Sequence, residues 1–173
     1  MVSFRSAKPQ EVDQVIKLTD YVFRVSGGLE ASMGRQFPTF LSPDNAANLY
    51  VAVDDDRVIA HIGVKKNTAI LYGHKVSMAS IGAVCTHPHY RGQGIGTKLL
   101  HDVFQSLNKE NVGFVTISGT RGLYKRNHCV ETGGAATFIF RAGESPVVDN
   151  YPKLQNLSVR CVHDTTAMFN IYR

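Results

Sequence analysis

The run Arg91-Gly92-Gln93-Gly94-Ile95-Gly96 restricts the architecture more than any other part of the chain. Before it lies a stretch of strand formers, Ile81 to Thr86, which Pro88 ends because proline has no N–H for a sheet ladder. After it come Leu99, Leu100, Val103, Phe104 and Leu107, spaced as one face of an amphipathic helix. A glycine loop between a strand and a helix presents backbone amides at the positive end of the helix dipole. Gly92, Gly94 and Gly96 let the backbone approach an anion, and Arg91 and Lys98 add full charges nearby. The physical reading is a cradle for a pyrophosphate.

The rest of the chain predicts an α/β domain around that unit. Pro9 suits the first position of a helix that Val12, Val15, Ile16, Tyr21, Val22 and Phe23 continue. Residues 26–47 read as loop and short helix. Leu49 to Val53 and Val58 to Val64 form one hairpin across the turn Asp54-Asp55-Asp56-Arg57. Thr68 to Leu71, a turn at Tyr72-Gly73-His74 and the long strand ending at Thr86 form a second. Val112 to Ile117 predicts a buried strand, Arg121 to Asn127 a short helix and Ala135 to Arg141 a further strand. This order gives a mixed sheet, largely antiparallel, with a parallel crossover after the glycine loop.

Length and composition set the class. The chain has 173 residues, enough for one core, with 43% hydrophobic and 19% charged residues. No apolar run approaches the roughly 20 residues of a membrane span. Met1 to Arg5 lacks the apolar core of a signal peptide, so the expected location is the cytoplasm. Three widely spaced cysteines, Cys85, Cys129 and Cys161, do not make a disulfide framework. A net charge of +5 draws anions in general, without separating nucleic acid from a phosphorylated small molecule. The chain carries no Lys/Arg run of the nucleic-acid type.

Two common phosphate loops fit poorly. A Walker loop ends in Gly-Lys-Ser/Thr, and Gly96-Thr97-Lys98 does not. A dinucleotide loop is Gly-x-Gly-x-x-Gly early in a βαβ unit, whereas here Gly-x-Gly-x-Gly follows antiparallel strands. The segment Ile81 to Leu100, with its HPHYRGQGIG core, closely resembles the central motif of the GNAT acetyltransferases. That family's Gln/Arg-x-x-Gly-x-Gly/Ala signature is matched by Arg91, Gly94 and Gly96, and a looser resemblance runs from about residue 3 to 142.

The resemblance implies a GNAT fold and acetyl-CoA as cosubstrate, with an amine attacking directly and no covalent enzyme intermediate. It implies that Gly92 and the amides of Gln93, Gly94, Ile95 and Gly96, with Thr97 beside them, hold the pyrophosphate. Val84, Cys85 and Thr86 would lie along the pantetheine arm, which backbone groups of Val84 and Thr86 would pair with as an added strand. Tyr124, in Leu123-Tyr124-Lys125-Arg126, matches the family's tyrosine that protonates the leaving thiolate. The usual Gly-Phe that follows is replaced by His128-Cys129, so the helix exit is expected to differ. Arg121, Lys125 and Arg126 could meet the 3′-phosphate of CoA or form a solvated surface.

The base is less defined. Glu30, His61 and His74 are candidates, acting through water, and a neutral amine would need none. Cys85, His87 and His89 alternate as metal ligands can, but Pro88 bends the chain and no fourth ligand stands nearby, so no metal is expected. The acceptor, and whether the chain forms a homodimer, cannot be read. On this reading residues 1–145 form the acetyltransferase domain and 146–156 a linker or long turn. Residues 157–173 form a last strand and short helix, or the start of an incomplete second domain. The alternatives are an inactive acyl-CoA sensor and, from charge alone, a nucleic-acid binder.

Overall fold

The structure, a computed structural model, describes residues 1–132. The expectations for 135–141, 146–156 and 157–173 lie outside the described residues. Five strands form one sheet in the order β1 (Ser3–Ser6), β2 (Leu49–Asp54), β3 (Arg57–Leu71), β4 (His74–Thr86) and β5 (Phe114–Ile117). The first four are antiparallel neighbours, and β5 runs parallel to β4. Four helices accompany them: α1 (Val12–Phe23), α2 (Met33–Gln36), α3 (Ile95–Lys109) and α4 (Gly122–Arg126).

Each long helix covers one face of the sheet. Val12, Val15 and Leu18 of α1 pack on Leu49, Val51, Val53 and Cys85. Leu99, Leu100, Val103 and Leu107 of α3 pack on Ile62, Val64, Ala79 and Ile81 on the other face. Burying each such side chain contributes about 1.5–3 kcal/mol. Packing therefore holds α3 in place, although no side chain caps its N-terminus. Its first amides stay available.

Two strand readings are corrected. Val58 to Val64 and Thr68 to Leu71 are not separate strands; both belong to β3, which pairs with β4 without a break through Lys65, Lys66 and Asn67. Those three residues are exposed and polar because the hairpin there projects past the end of β2, so they resemble a loop in sequence. The strand expected at Val112 begins at Phe114 and is half-buried, not buried. A short edge strand, Ser3–Ser6, also precedes α1.

Two features of β4 position the site. Its pairing with β5 stops at Ile81↔Ile117, yet β4 continues to Thr86. Beyond that point the parallel ladder is open. A bulge also interrupts the β3–β4 ladder, which steps from Gly63↔Gly82 to His61↔Cys85. Three steps along β4 match two along β3, and Ala83 takes up the difference at φ +52°. Bulges of this kind turn backbone groups out of the ladder.

Candidate active site

The glycine loop is built as its sequence requires. Gly94 is the N-cap of α3 with φ +77°, a left-handed conformation that strains any residue with a Cβ. Lys98 N–H donates to the Gly94 carbonyl at 3.0 Å. The amides of Ile95, Gly96 and Thr97 precede that first helical bond and have no acceptor among the described residues. The loop is braced from outside: Arg91 Nε donates to the Thr86 carbonyl at 3.1 Å, and Gln93 Nε2 to the His89 carbonyl at 3.2 Å.

These elements bound a cleft of about 400 Å³. One wall is Val84, Cys85 and Thr86 at the end of β4; the floor is Arg91, Gly92 and Gly94, with Ile95, Gly96 and Thr97 of α3. Arg121, Leu123 and Arg126 close the far side, and Tyr90 the near one. Gln93 does not line it. The sequence has no carboxylate between Asp56 and Asp102, so β3, β4 and the loop bring only positive formal charge to the cleft.

A second cleft of about 280 Å³ shares Val84 and Arg121 with the first. It lies where β4 and β5 cease to pair, between Gly82 and Ala83 on one side and Ser118 and Gly119 on the other. Phe23, at the end of α1, and Tyr124 complete it. The Tyr124 hydroxyl makes no hydrogen bond among the described residues. Burial raises its pKa above the usual 10, opposed by the nearby Arg121 guanidinium. The phenol therefore keeps its proton at neutral pH.

Residues 3–128 match the acetyltransferase (GNAT) domain family. The chain belongs to the GNAT acetyltransferase family. Its fold is shared by solved structures of low identity. A protein described as a predicted acetyltransferase from Clostridium acetobutylicum, solved with acetyl-CoA, is 18% identical with a TM-score of 0.65, covering 80% of this chain and 96% of its own. A GNAT family acetyltransferase from Brucella melitensis, in complex with acetyl-CoA, is 22% identical with a TM-score of 0.63, covering 79% and 92%. A GCN5-related N-acetyltransferase from Kribbella flavida is 20% identical with a TM-score of 0.63; the match covers 73% of this chain but 32% of that longer one. No match was found among curated protein sequences.

The remaining candidates occupy different parts of the GNAT domain. Glu30 is exposed, pairs with Arg35 at 3.1 Å and lines neither cleft. His74 lies at the exposed far end of the β3–β4 hairpin. His61 is fully buried beside Cys85. The Cys85 thiol is itself buried in the α1-side core, which pushes its pKa up to about 12. A thiol so placed is not a nucleophile at neutral pH. The His87 ring stacks on Tyr21 with centroids 5.5 Å apart, and His89 and Tyr90 meet it edge-on. Lys125 pairs with Glu131 at 3.0 Å, outside the cleft that Arg126 lines.

At the exit of α4, where the sequence departs from the family pattern, the chain turns into the left-handed region. His128 stands where glycine is usual, and it adopts φ +61°. Cys129, in place of phenylalanine, still packs against the core. His128→Gly should therefore stabilise the domain by about 0.5–1 kcal/mol, relieving the left-handed strain less the entropy of a freer chain. Chemical denaturation would register it, and a loss of stability would refute this account.

Tyr90 and Leu123 of the first cleft were not singled out as site residues from sequence, nor were Phe23, Gly82, Ala83, Ser118 and Gly119 of the second. Tyr90 stands beside the motif and could have been found. Phe23 could not, because only the packing of α1 brings it to the split between β4 and β5.

Proposed function

We propose that this GNAT domain transfers an acetyl group from acetyl-CoA to a primary amine by direct attack. The observation that carries the reading is the set of amides of Ile95, Gly96 and Thr97, without acceptors among the described residues, in a cleft that Arg91, Arg121 and Arg126 also line and to which no described residue brings a carboxylate. The residues fit the donor. The amides and Arg91 suit a pyrophosphate, Arg126 a further phosphate, and the unpaired end of β4 the amide groups of an extended arm.

Acetyl-CoA supplies an acyl group activated as a thioester. A backbone amide near the Ala83 bulge, where the ladder is interrupted, would stabilise negative charge on the acyl oxygen. As the new N–C bond forms and the C–S bond breaks, the Tyr124 hydroxyl hands its proton to the departing sulfur. The amine's excess proton leaves to water, and water returns a proton to the Tyr124 phenolate. A domain that only senses acyl-CoA would bind it and release no thiol with any amine.

The loop geometry supplies the test. Gly94→Ala forces a Cβ into the left-handed N-cap and should weaken acetyl-CoA binding by about tenfold or more, a strain on the order of 1–2 kcal/mol. At Gly96 a Cβ would meet Thr86 Oγ1 at 3.5 Å and Leu123 Cδ2 at 3.9 Å, ordinary contacts. Gly96→Ala should stay within about threefold of the parent. Calorimetric titration of both variants decides it. Equal affinities for Gly94→Ala and the parent would remove the loop from the donor site.

A further inference from the structure

Arg121 joins the two clefts, but its charge is held towards one of them. The guanidinium carbon lies 5.7 Å from the centroid of the Phe23 ring, and Phe23 lines only the second cleft. Among the described residues no carboxylate pairs with Arg121, and its side chain donates no hydrogen bond. A guanidinium stacked on an aromatic face keeps its edge N–H groups free for a planar anion. Arg91 and Arg126, by contrast, line the first cleft alone. Arg91 and Arg126 thus serve the first cleft, and Arg121, which borders both, is the one described cation that the second cleft also has.

The surroundings point to the same chemistry. Among the described residues no carboxylate lines the second cleft, so those residues offer a polycationic acceptor no partner. The segment that runs on from α1 exposes an unusual share of large apolar side chains: Phe23, Val25, Leu29 and Phe37. We infer that the acceptor is an apolar amine carrying a carboxylate close to its amino group, and that Arg121 selects it by pairing with that carboxylate. This inference rests on the acetyl-transfer reading and adds to it the acceptor's chemical class.

The chemistry balances without a further reactant. The neutral amine forms the N–C bond, its proton passes to water, and the sulfur leaves as thiol. The carboxylate takes no part in bond changes. It fixes the amine in the second cleft beside Tyr124 and Ala83.

The experiment first measures acetyl-CoA binding to the full chain by calorimetry, then thiol release with matched acceptors. Phenylalanine is compared with phenylalanine amide and 2-phenylethylamine, and leucine with leucine amide and isoamylamine. At a pH where all the amines are partly neutral, kcat/KM for each amino acid should exceed its two partners by about 10- to 100-fold, the range of a charge-assisted pair. Arg121→Gln should collapse that ratio towards one, and Arg121→Lys should restore part of it. Amides or plain amines that do as well as the acids would overturn the inference. So would an Arg121→Gln variant whose loss appears in acetyl-CoA affinity and leaves the acceptor ratio intact. Acetyl-CoA binding with no turnover of any acid would also overturn it, while the donor site stands. Failure to bind acetyl-CoA would instead sink the acetyl-transfer reading, and this inference with it.

Discussion

Tyr124→Phe should lower kcat for acetyl transfer by about 100-fold, within the span that general acid catalysis contributes. The ring is 7% exposed and packs with the core that α3 covers. Phenylalanine keeps that packing, so thermal stability should change little. Tyr124 lines the second cleft, and its hydroxyl has no hydrogen-bond partner among the described residues. Its pKa is raised by burial, so it is protonated throughout the neutral range. A thiolate departing from the acyl carbon is close enough in basicity to a phenolate to take that proton as the C–S bond breaks. The alkaline fall of kcat should lie above pH 10 in the parent and vanish in the variant. Stopped assays of released thiol across pH 6 to 11 would show both effects. A variant with the parent's kcat would make Tyr124 a packing residue, and the leaving group would then depart unassisted or through water.

The parts of this site visible in sequence are those where chemistry and backbone coincide in one short segment. Arg91 to Gly96 carries its own explanation: Gly94 is needed for φ +77°, and the helix that follows is marked by Leu99, Leu100, Val103 and Leu107. The helix α1 and the α3 face were legible for the same reason, since periodicity reports burial. Three features were not. The strand Ser3–Ser6 is short, polar and at an edge, so only Phe4 hints at a buried side. The continuity of β3 through Lys65, Lys66 and Asn67 was hidden because exposed residues on a projecting hairpin carry no alternation. The bulge at Ala83 is a matter of register between two strands, and no local residue in Ile81-Gly82-Ala83-Val84 announces which one moves out of the ladder. The second cleft is harder still, because Phe23, Ala83 and Tyr124 come from three separate elements and Gly119 from the loop after β5.

His61, a candidate base from sequence, should make the domain sensitive to acid. Its ring is wholly buried, and neither Nδ1 nor Nε2 has a hydrogen-bond partner among the described residues. Phe40, Gly63 and Cys85 surround it. No charged group compensates an imidazolium there, so burial lowers its pKa to about 3 from 6.5. Between those values the unfolded chain binds a proton that the folded one refuses. Stability is therefore full above pH 6.5 and is lost as pH falls towards 3. At pH 5 the loss from this one residue is about 2 kcal/mol, which is about 4–8 °C in Tm for a domain of this size.

His61→Leu removes the titration and two unsatisfied polar atoms while filling a similar volume. Replacing an unpaired buried polar group by an apolar one is neutral or stabilising. The variant should match or exceed the parent at pH 7.5 and exceed it by about 2 kcal/mol more at pH 5. Its Tm should be nearly flat over the range where the parent declines. Thermal melts at half-unit steps from pH 4.5 to 8 would trace both curves. If the two decline in parallel, a water or another group satisfies His61 and the acid sensitivity has its origin elsewhere. Turnover adds an independent reading, because the ring does not line either cleft. A variant that folds, binds acetyl-CoA and yet loses activity with the slope of a missing base would return His61 to the catalytic machinery, acting through water behind β4.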